Sequence, residues 1–226
     1  FTGNDCSGRT CPHGYAFVTT PRGDLNVDGD RYDNSLKLLV KAREETGLPI
    51  VTELLSQDHA ELVAEYADML QIGTRNAQNF QLLIAAAKTG KPVLLKRGMS
   101  MRIMEWLLAG EYVLANQNPN LLFCERGVRT FEDYTRNTLD LSAVAAVKNE
   151  SHCPVVVDPS QGCGKASLVR AMCKGAVAMG ADALLIEVHP DPTHAISDAA
   201  QQIDLEGFGE LMKELRPIAE SVGREL

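Results

Sequence analysis

Short apolar runs that each end in polar or charged residues recur along this chain, and they constrain its fold more than any other feature. In Pro92-Val-Leu-Leu-Lys-Arg-Gly98, apolar residues lead directly into two cations and a glycine. Similar runs cover residues 69–75, 120–127, 154–160 and 183–190. A strand buried in a parallel sheet is apolar on both faces, so each run is typical of a buried parallel strand with a polar carboxyl end.

The segments between these runs place apolar residues at helical spacing, so strand and helix alternate seven clear times. A further, very short strand fits near residues 1–4. This alternation predicts a parallel sheet with right-handed crossovers. Seven or eight units favour a closed (β/α)8 TIM barrel, which typically has about 250 residues, over an open doubly wound sheet.

The expected architecture is one α/β barrel domain over residues 1–226, with an abbreviated or irregular first β/α unit. Residues 1–13 are rich in glycine, asparagine, aspartate and proline, so they leave room for only a very short strand. The first clear strand, residues 15–20, is not followed by a G-x-G-x-x-G motif, which disfavours a dinucleotide-binding fold.

Composition excludes several classes of protein. The net charge of -8 argues against a nucleic-acid binder, which would carry a basic face. No apolar stretch reaches membrane length, and no secretory signal is visible, so we expect no membrane partner. The six cysteines form no C-x-x-C pair, which indicates reduced thiols and a cytoplasmic location.

Three cations from consecutive predicted strands are the strongest indication of a binding site. The active site of a (β/α)8 barrel lies at the carboxyl ends of its strands, where Arg75, Lys96 and Arg126 are expected to converge. Arginine forks and a lysine charge suit phosphate or carboxylate groups, so the ligand is expected to be an anion. Arg97 and Asp158, at two of the same strand ends, are further candidates for substrate binding.

Each cation has alternative interpretations. A single one could form an ion pair at the barrel rim with a carboxylate such as Glu53, Glu125 or Asp158. Lys96 could instead be a Schiff-base nucleophile, since a desolvated lysine among cations can have a depressed pKa. The catalytic candidates at the strand ends are Lys96, Glu125 and His189.

An acid and histidine cluster follows the last predicted strand. Alternation along the strand points Glu187 and His189 to the same side, where they suit a divalent metal or acid–base chemistry. Asp191, His194 and Asp198 come soon after. A Pro-Asp-Pro loop also attracts such residues, so spacing alone leaves both interpretations open.

Several motifs together resemble one enzyme family. They are Gln71-Ile-Gly-Thr-Arg-Asn-Ala-Gln-Asn79, Lys91-Pro-Val-Leu-Leu-Lys-Arg-Gly98, Cys124-Glu-Arg-Gly127, Thr135-Arg-Asn-Thr-Leu-Asp140, Val157-Asp-Pro-Ser160 and Glu187-Val-His-Pro190 with Ser197-Asp198. Over residues 33–226 the chain resembles the 3-deoxy-heptulosonate 7-phosphate (DAHP) synthase family in its short microbial type I beta form. The resemblance implies a (β/α)8 barrel that assembles as a dimer or tetramer.

The resemblance also implies an activity and a division of the site. The activity is the condensation of phosphoenolpyruvate with erythrose 4-phosphate, which releases phosphate at the entrance to the shikimate pathway. Arg75, Lys96 and Arg126 would hold phosphoenolpyruvate. Glu187 and Asp198 would be two ligands of a divalent metal such as Mn²⁺ or Zn²⁺.

The chain departs from the family pattern on the metal and aldehyde side. The family's metal histidine follows an Asp-Pro-Ser run, where this chain has Gln161, and an amide oxygen is a poorer transition-metal ligand than imidazole. Cys6 is the candidate for the metal cysteine. The family's Lys-Pro-Arg-Thr run, which grips both substrates, corresponds here to Phe17-Val-Thr-Thr-Pro-Arg22. The metal set Glu187, Asp198, Gln161 and Cys6 is therefore expected to be weakened or lost.

Three functional hypotheses follow from the sequence. The first is an active synthase that joins phosphoenolpyruvate to erythrose 4-phosphate or to another aldehyde. The second is a barrel without turnover that serves as a binding or regulatory partner. The third is a Schiff-base aldolase that uses Lys96.

Overall fold

Six parallel strands form one sheet in the computed structural model, which describes residues 29–225. The strands are β1 (Val51–Glu53), β2 (Met69–Ile72), β3 (Val93–Lys96), β4 (Leu121–Glu125), β5 (Val155–Val157) and β6 (Ala183–Leu184). They pair in chain order, each parallel to the next. The predicted parallel α/β class is confirmed.

Helices follow the strands along the chain. They are α1 (Gly29–Thr46), α2 (Ala60–Tyr66), α3 (Phe80–Lys88), α4 (Ile103–Leu114), α5 (Ser142–Glu150), α6 (Pro159–Cys163), α7 (Ala166–Ala178) and α8 (Leu205–Ser221). Short 3-10 turns cover Gln57–His59, Thr74–Asn76, Pro192–His194 and Ala199–Gln201. Within residues 29–225, none of the helices has the length and apolar character needed to cross a bilayer.

The sequence predicts a closed eight-stranded barrel, whereas residues 29–225 contain a six-stranded sheet. In this part of the chain β1 and β6 are the two edges of the sheet. The predicted strands near residues 1–4 and 15–20 lie outside the described residues. The last predicted strand, expected to reach His189, has regular pairing only to Leu184, and Val188 then forms an isolated parallel bridge with Ile203.

The two faces of the sheet carry separate apolar clusters. Leu95, Phe123 and Val157 belong to the main core, which also includes side chains of α3, α4 and α5. We call this the outer face. Leu94, Cys124 and Val156 form a small buried cluster on the opposite side, which we call the inner face. Side chains alternate along a strand, so within β3, β4 and β5 the odd-numbered residues lie on the outer face and the even-numbered residues on the inner face.

A glycine allows α4 to approach the outer face closely. A Cβ atom added at Gly110 would lie 2.5 Å from Cζ of Phe123. We therefore expect Gly110→Ala to lower the free energy of unfolding by about 1–3 kcal/mol, the usual cost of overpacking a core. Urea denaturation measures this change.

Gly209→Ala in α8 is the matched control, because a Cβ there would meet no heavy atom within 4 Å. Alanine has the higher helix propensity, so this variant should gain up to about 1 kcal/mol. Equal stability of the two variants would show that α4 does not pack on β4 through Gly110.

Candidate active site

Three charged side chains continue the inner face at the carboxyl ends of their strands. Lys96, Arg126 and Asp158 each lie two residues after a member of the inner cluster, and all three are buried. Lys96 Nζ donates to Asp158 Oδ2 at 2.8 Å. They line a cavity of about 890 Å³, within the range usual for small-molecule sites. The same cavity is lined by Glu53, Arg75, Gln161, Glu187, His189 and Asp198.

Arg126, which lines this cavity, has unsatisfied donors. Its Nη2 donates to Gln161 Oε1 at 2.7 Å. Within the described residues, Nε and Nη1 of Arg126 are buried side-chain donors that have no hydrogen-bond partner. Burial lowers the pKa of Arg126, but a guanidinium stays charged in proteins. A buried unpaired donor costs about 1–3 kcal/mol, so this pair suits an anion with two acceptor oxygens.

Lys96 is held as a cation. Burial by itself lowers the pKa of Lys96, but the Asp158 carboxylate opposes this effect, and the net pKa is raised above the ordinary value. A Schiff-base nucleophile at neutral pH needs a depressed pKa. The ion pair with Asp158 therefore disfavours Lys96 as a Schiff-base nucleophile.

Arg97 and Glu125 lie on the outer face rather than in the cavity. Arg97 Nη1 donates to Glu125 Oε2 and Asp140 Oδ2, each at 2.9 Å, and Arg97 Nε donates to the carbonyl of Met101. The guanidinium also lies over the Trp106 ring, 5.8 Å from its centroid. This geometry departs from the expectation that Arg97 binds substrate and Glu125 acts in catalysis, because the two side chains bind each other.

Glu125 is one of the most buried charged groups in the described chain. Its exposed fraction is 0%, and burial raises its pKa, while Arg97 opposes the rise. Its Oε1 also accepts from the backbone N–H of Gly127 at 2.7 Å. Glu125 therefore anchors the loop that follows Arg126.

The three predicted metal ligands that the structure describes, Gln161, Glu187 and Asp198, line the cavity, but each is engaged in hydrogen bonds. Glu187 Oε1 accepts from Gln161 Nε2 at 3.0 Å and from Gln201 Nε2 at 2.9 Å. Arg136 Nη1 donates to Gln201 Oε1 at 3.0 Å and to Asp198 Oδ1 at 2.9 Å. Sequence reasoning missed the contributions of Gln201 and Arg136, although Arg136 belongs to one of the distinctive motifs.

As arranged, this donor set does not fit a transition metal. Glu187 and Asp198 are both engaged by donors, and Gln161 Oε1 accepts from Arg126 instead of facing the carboxylates. Among residues 29–225, no group of three histidine, cysteine, aspartate or glutamate side chains could hold a metal ion. Cys6, the fourth predicted ligand, lies outside the described residues.

His189 and Glu53 complete the polar lining. His189 Nδ1 accepts from the backbone N–H of Asp191 at 3.0 Å. Burial raises the pKa of Glu53, while the cations Lys96 and Arg75 oppose the rise. A glycine is needed at position 73, because a Cβ there would collide with the Glu53 carboxylate. Glu53, considered from sequence only as a rim partner, thus lies inside the cavity.

Comparisons with known proteins show which proteins this chain resembles. A phospho-2-dehydro-3-deoxyheptonate aldolase of Thermotoga maritima is 48% identical over 191 residues, which cover 84% of this chain but 56% of that protein. The chain thus spans little more than half the length of this curated relative. A 2-dehydro-3-deoxyphosphooctonate aldolase of Syntrophotalea carbinolica is 34% identical over 201 residues, covering 84% of this chain and 72% of the relative.

A solved structure gives the same result. A truncated form of 3-deoxy-D-arabino-heptulosonate 7-phosphate synthase from Thermotoga maritima superposes with a TM-score of 0.84 at 47% identity, covering 85% of this chain and 74% of that one. Residues 16–221 match the family model described as the DAHP synthetase I family. The resemblance seen in the sequence motifs is confirmed, and the chain belongs to the DAHP synthetase I family.

Proposed function

We propose that this chain catalyses a phosphoenolpyruvate-dependent aldol-type condensation, a carbon–carbon bond-forming transfer at the start of aromatic amino acid biosynthesis. Phosphoenolpyruvate, erythrose 4-phosphate and water would give a 3-deoxy-2-ketoaldonate phosphate and inorganic phosphate. The observation that supports this most is that two buried guanidinium nitrogens of Arg126, near Lys96, have no hydrogen-bond partner within residues 29–225.

Each side chain of the site is proposed to have a separate role in binding or catalysis. Arg126 Nε and Nη1 bind acceptor oxygens of phosphoenolpyruvate, and Lys96 and Arg75 add positive charge. C3 of phosphoenolpyruvate bonds to the aldehyde carbon, water adds at C2, and the C2–O bond breaks as phosphate leaves. Lys96 and His189 are our candidates to donate a proton to the aldehyde oxygen. We propose that Arg97 and Glu125 stabilise the loops next to Arg126.

The acceptor is proposed to be an aldose phosphate. The 48% identical relative is named as a deoxyheptonate aldolase, whereas the 34% identical one is named as a deoxyphosphooctonate aldolase. The higher identity favours erythrose 4-phosphate, and another aldehyde is the alternative.

Phosphate release from phosphoenolpyruvate, measured with a panel of aldehydes and with or without Mn²⁺, tests the function. Release that depends on one aldehyde supports the synthase. If no condition gives release while phosphoenolpyruvate still binds, the chain is a binding homologue without turnover. A borohydride-trapped adduct on Lys96 would contradict the assigned chemistry.

Members of this family generally use a divalent metal. We propose that the corresponding site of this chain, which would comprise Glu187, Asp198, Gln161 and Cys6, is weakened or lost. Both described carboxylates are already hydrogen-bonded, and an amide replaces the family's histidine. No step of the proposed reaction is assigned to a metal.

We expect Gln161→His to raise the affinity for Mn²⁺ or Zn²⁺ at least tenfold, because imidazole is a better ligand than an amide for these ions. Calorimetric titration of the metal alone measures the change. Gln202→His is the control, since Gln202 lines the same cavity but donates to the carbonyl of Ser197. An equal effect in both variants, or none at position 161, would show that Gln161 does not face the metal position.

The extent of the domain, its assembly and its location complete the proposal. We propose a single (β/α)8 barrel domain over residues 1–226, with an abbreviated or irregular first β/α unit, that assembles as a dimer or tetramer in the cytoplasm. The cysteines among the described residues are free and buried, in line with the reduced thiols expected there. Sedimentation of the purified chain tests the assembly.

A further inference from the structure

The side chain of Gln161 connects the two halves of the cavity. Its Oε1 accepts from Arg126 Nη2 at 2.7 Å, and its Nε2 donates to Glu187 Oε1 at 3.0 Å. Arginine can only donate, and an ionised carboxylate can only accept. The amide therefore has one favourable orientation between these partners, which fixes its oxygen toward Arg126.

A second glutamine makes the same kind of bridge to a different arginine. Gln201 Nε2 donates to the same Glu187 oxygen, and its Oε1 accepts from Arg136 Nη1. One carboxylate oxygen thus orients two amides, and each amide is directed at one guanidinium. The two bridges differ in their arginine. Gln161 is bonded to Arg126, whose Nε and Nη1 have no partner within residues 29–225, whereas Gln201 is bonded to Arg136.

We infer that Gln161 is a positioning residue for substrate binding: anchored by Glu187, it holds Arg126 so that Nε and Nη1 face the anion. This inference rests on the proposed function. A guanidinium is planar and its donors have a fixed geometry, so a hydrogen bond at Nη2 also sets the direction of the other two nitrogens. Because the amide is neutral, it leaves the positive charge of Arg126 for the substrate. A group held in its binding geometry beforehand loses less freedom when the ligand arrives.

The side chain can be tested apart from the local fold. The backbone N–H of Gln161 donates to Asp158 Oδ1 at 2.9 Å, so the Asp158 side chain caps α6, and this contact does not depend on the side chain of Gln161. Gln161→Met keeps a similar length and removes both polar contacts of the amide. Gln201→Met is the matched control, since it breaks the same contact with Glu187 but leaves Arg126 untouched.

The experiment is calorimetric titration of the full chain with phosphoenolpyruvate in the absence of added metal. We expect Gln161→Met to weaken binding roughly tenfold, because the Arg126 side chain would then have to be ordered when the ligand binds. Gln201→Met should cause a clearly smaller loss. Thermal unfolding of both variants identifies any loss that comes from instability.

Testing Gln161→Met in a second protein variant distinguishes an effect on the orientation of Arg126 from an effect on packing. Arg126→Lys keeps the charge but has no guanidinium plane to orient, so Gln161→Met should weaken binding by much less in this background than in the wild type. An equal loss in both backgrounds, an equal loss in the Gln201 variant, or no loss at all overturns the inference while the proposed function stands. A wild-type chain that does not bind phosphoenolpyruvate overturns both.

Discussion

Replacement of Arg126 by alanine is expected to weaken phosphoenolpyruvate binding at least about a hundredfold. The variant removes two buried donors, Nε and Nη1, that have no other partner in the described chain. Each hydrogen bond to a charged group contributes about 1.5–3 kcal/mol. Since about 1.4 kcal/mol corresponds to a factor of ten, two such bonds account for a loss of this size. Isothermal titration calorimetry measures it.

Arg170→Ala is the control for the loss of one positive charge. Arg170 makes ion pairs with Glu210 and Glu214 on the surface of α7 and α8, away from the cavity. Its replacement should leave phosphoenolpyruvate binding within about twofold of the wild type, because exposed ion pairs contribute at most about 1 kcal/mol. Near-wild-type affinity in the Arg126 variant would refute the anion site.

Lys96→Met is expected to remove phosphoenolpyruvate binding and also to destabilise the fold by about 3–5 kcal/mol, the usual cost of leaving one member of a buried ion pair alone. Asp158 is 1% exposed and loses its Lys96 partner at 2.8 Å. Methionine keeps most of the volume of the lysine stem, so the effect comes from the charge. Urea denaturation gives the stability and calorimetry gives the affinity.

Lys148→Met is the matched control. Lys148 Nζ lies 3.0 Å from Asp182, but this pair is partly exposed and Asp182 also contacts Arg224. We expect a loss of less than about 1 kcal/mol in this variant. If both lysine variants unfold at the same urea concentration, the buried pair at Lys96 does not stabilise the sheet.

The sequence predicts the parallel sheet because the apolar runs are local and regular. Five of the six described strands, β2 to β6, fall inside the predicted runs, and Lys96, Arg126 and Asp158 reach one cavity as expected. The prediction treated the residues at each strand end as one group, so it placed Arg97 in the same site as Lys96. Its parity matches that of Leu95 on the outer face, so the two-residue period would have separated it from Lys96.

The hydrogen-bond network around Glu187 could not be predicted from periodicity. Arg136 and Gln201 are 65 positions apart, and Gln161 is 26 positions before Glu187. Their side chains meet because loops beyond the strand ends fold back over the cavity, and no local pattern sets that path. The expectations for Cys6 and for Phe17-Val-Thr-Thr-Pro-Arg22 lie outside the described residues and stay predictions.

The most direct test of the phosphoenolpyruvate site is a crystal structure of the chain with phosphoenolpyruvate bound. We predict acceptor oxygens of the ligand within hydrogen-bond distance of Nε and Nη1 of Arg126, with Lys96 Nζ beside the same ligand. Phosphoenolpyruvate bound elsewhere, with those two nitrogens still unpartnered, would contradict the account.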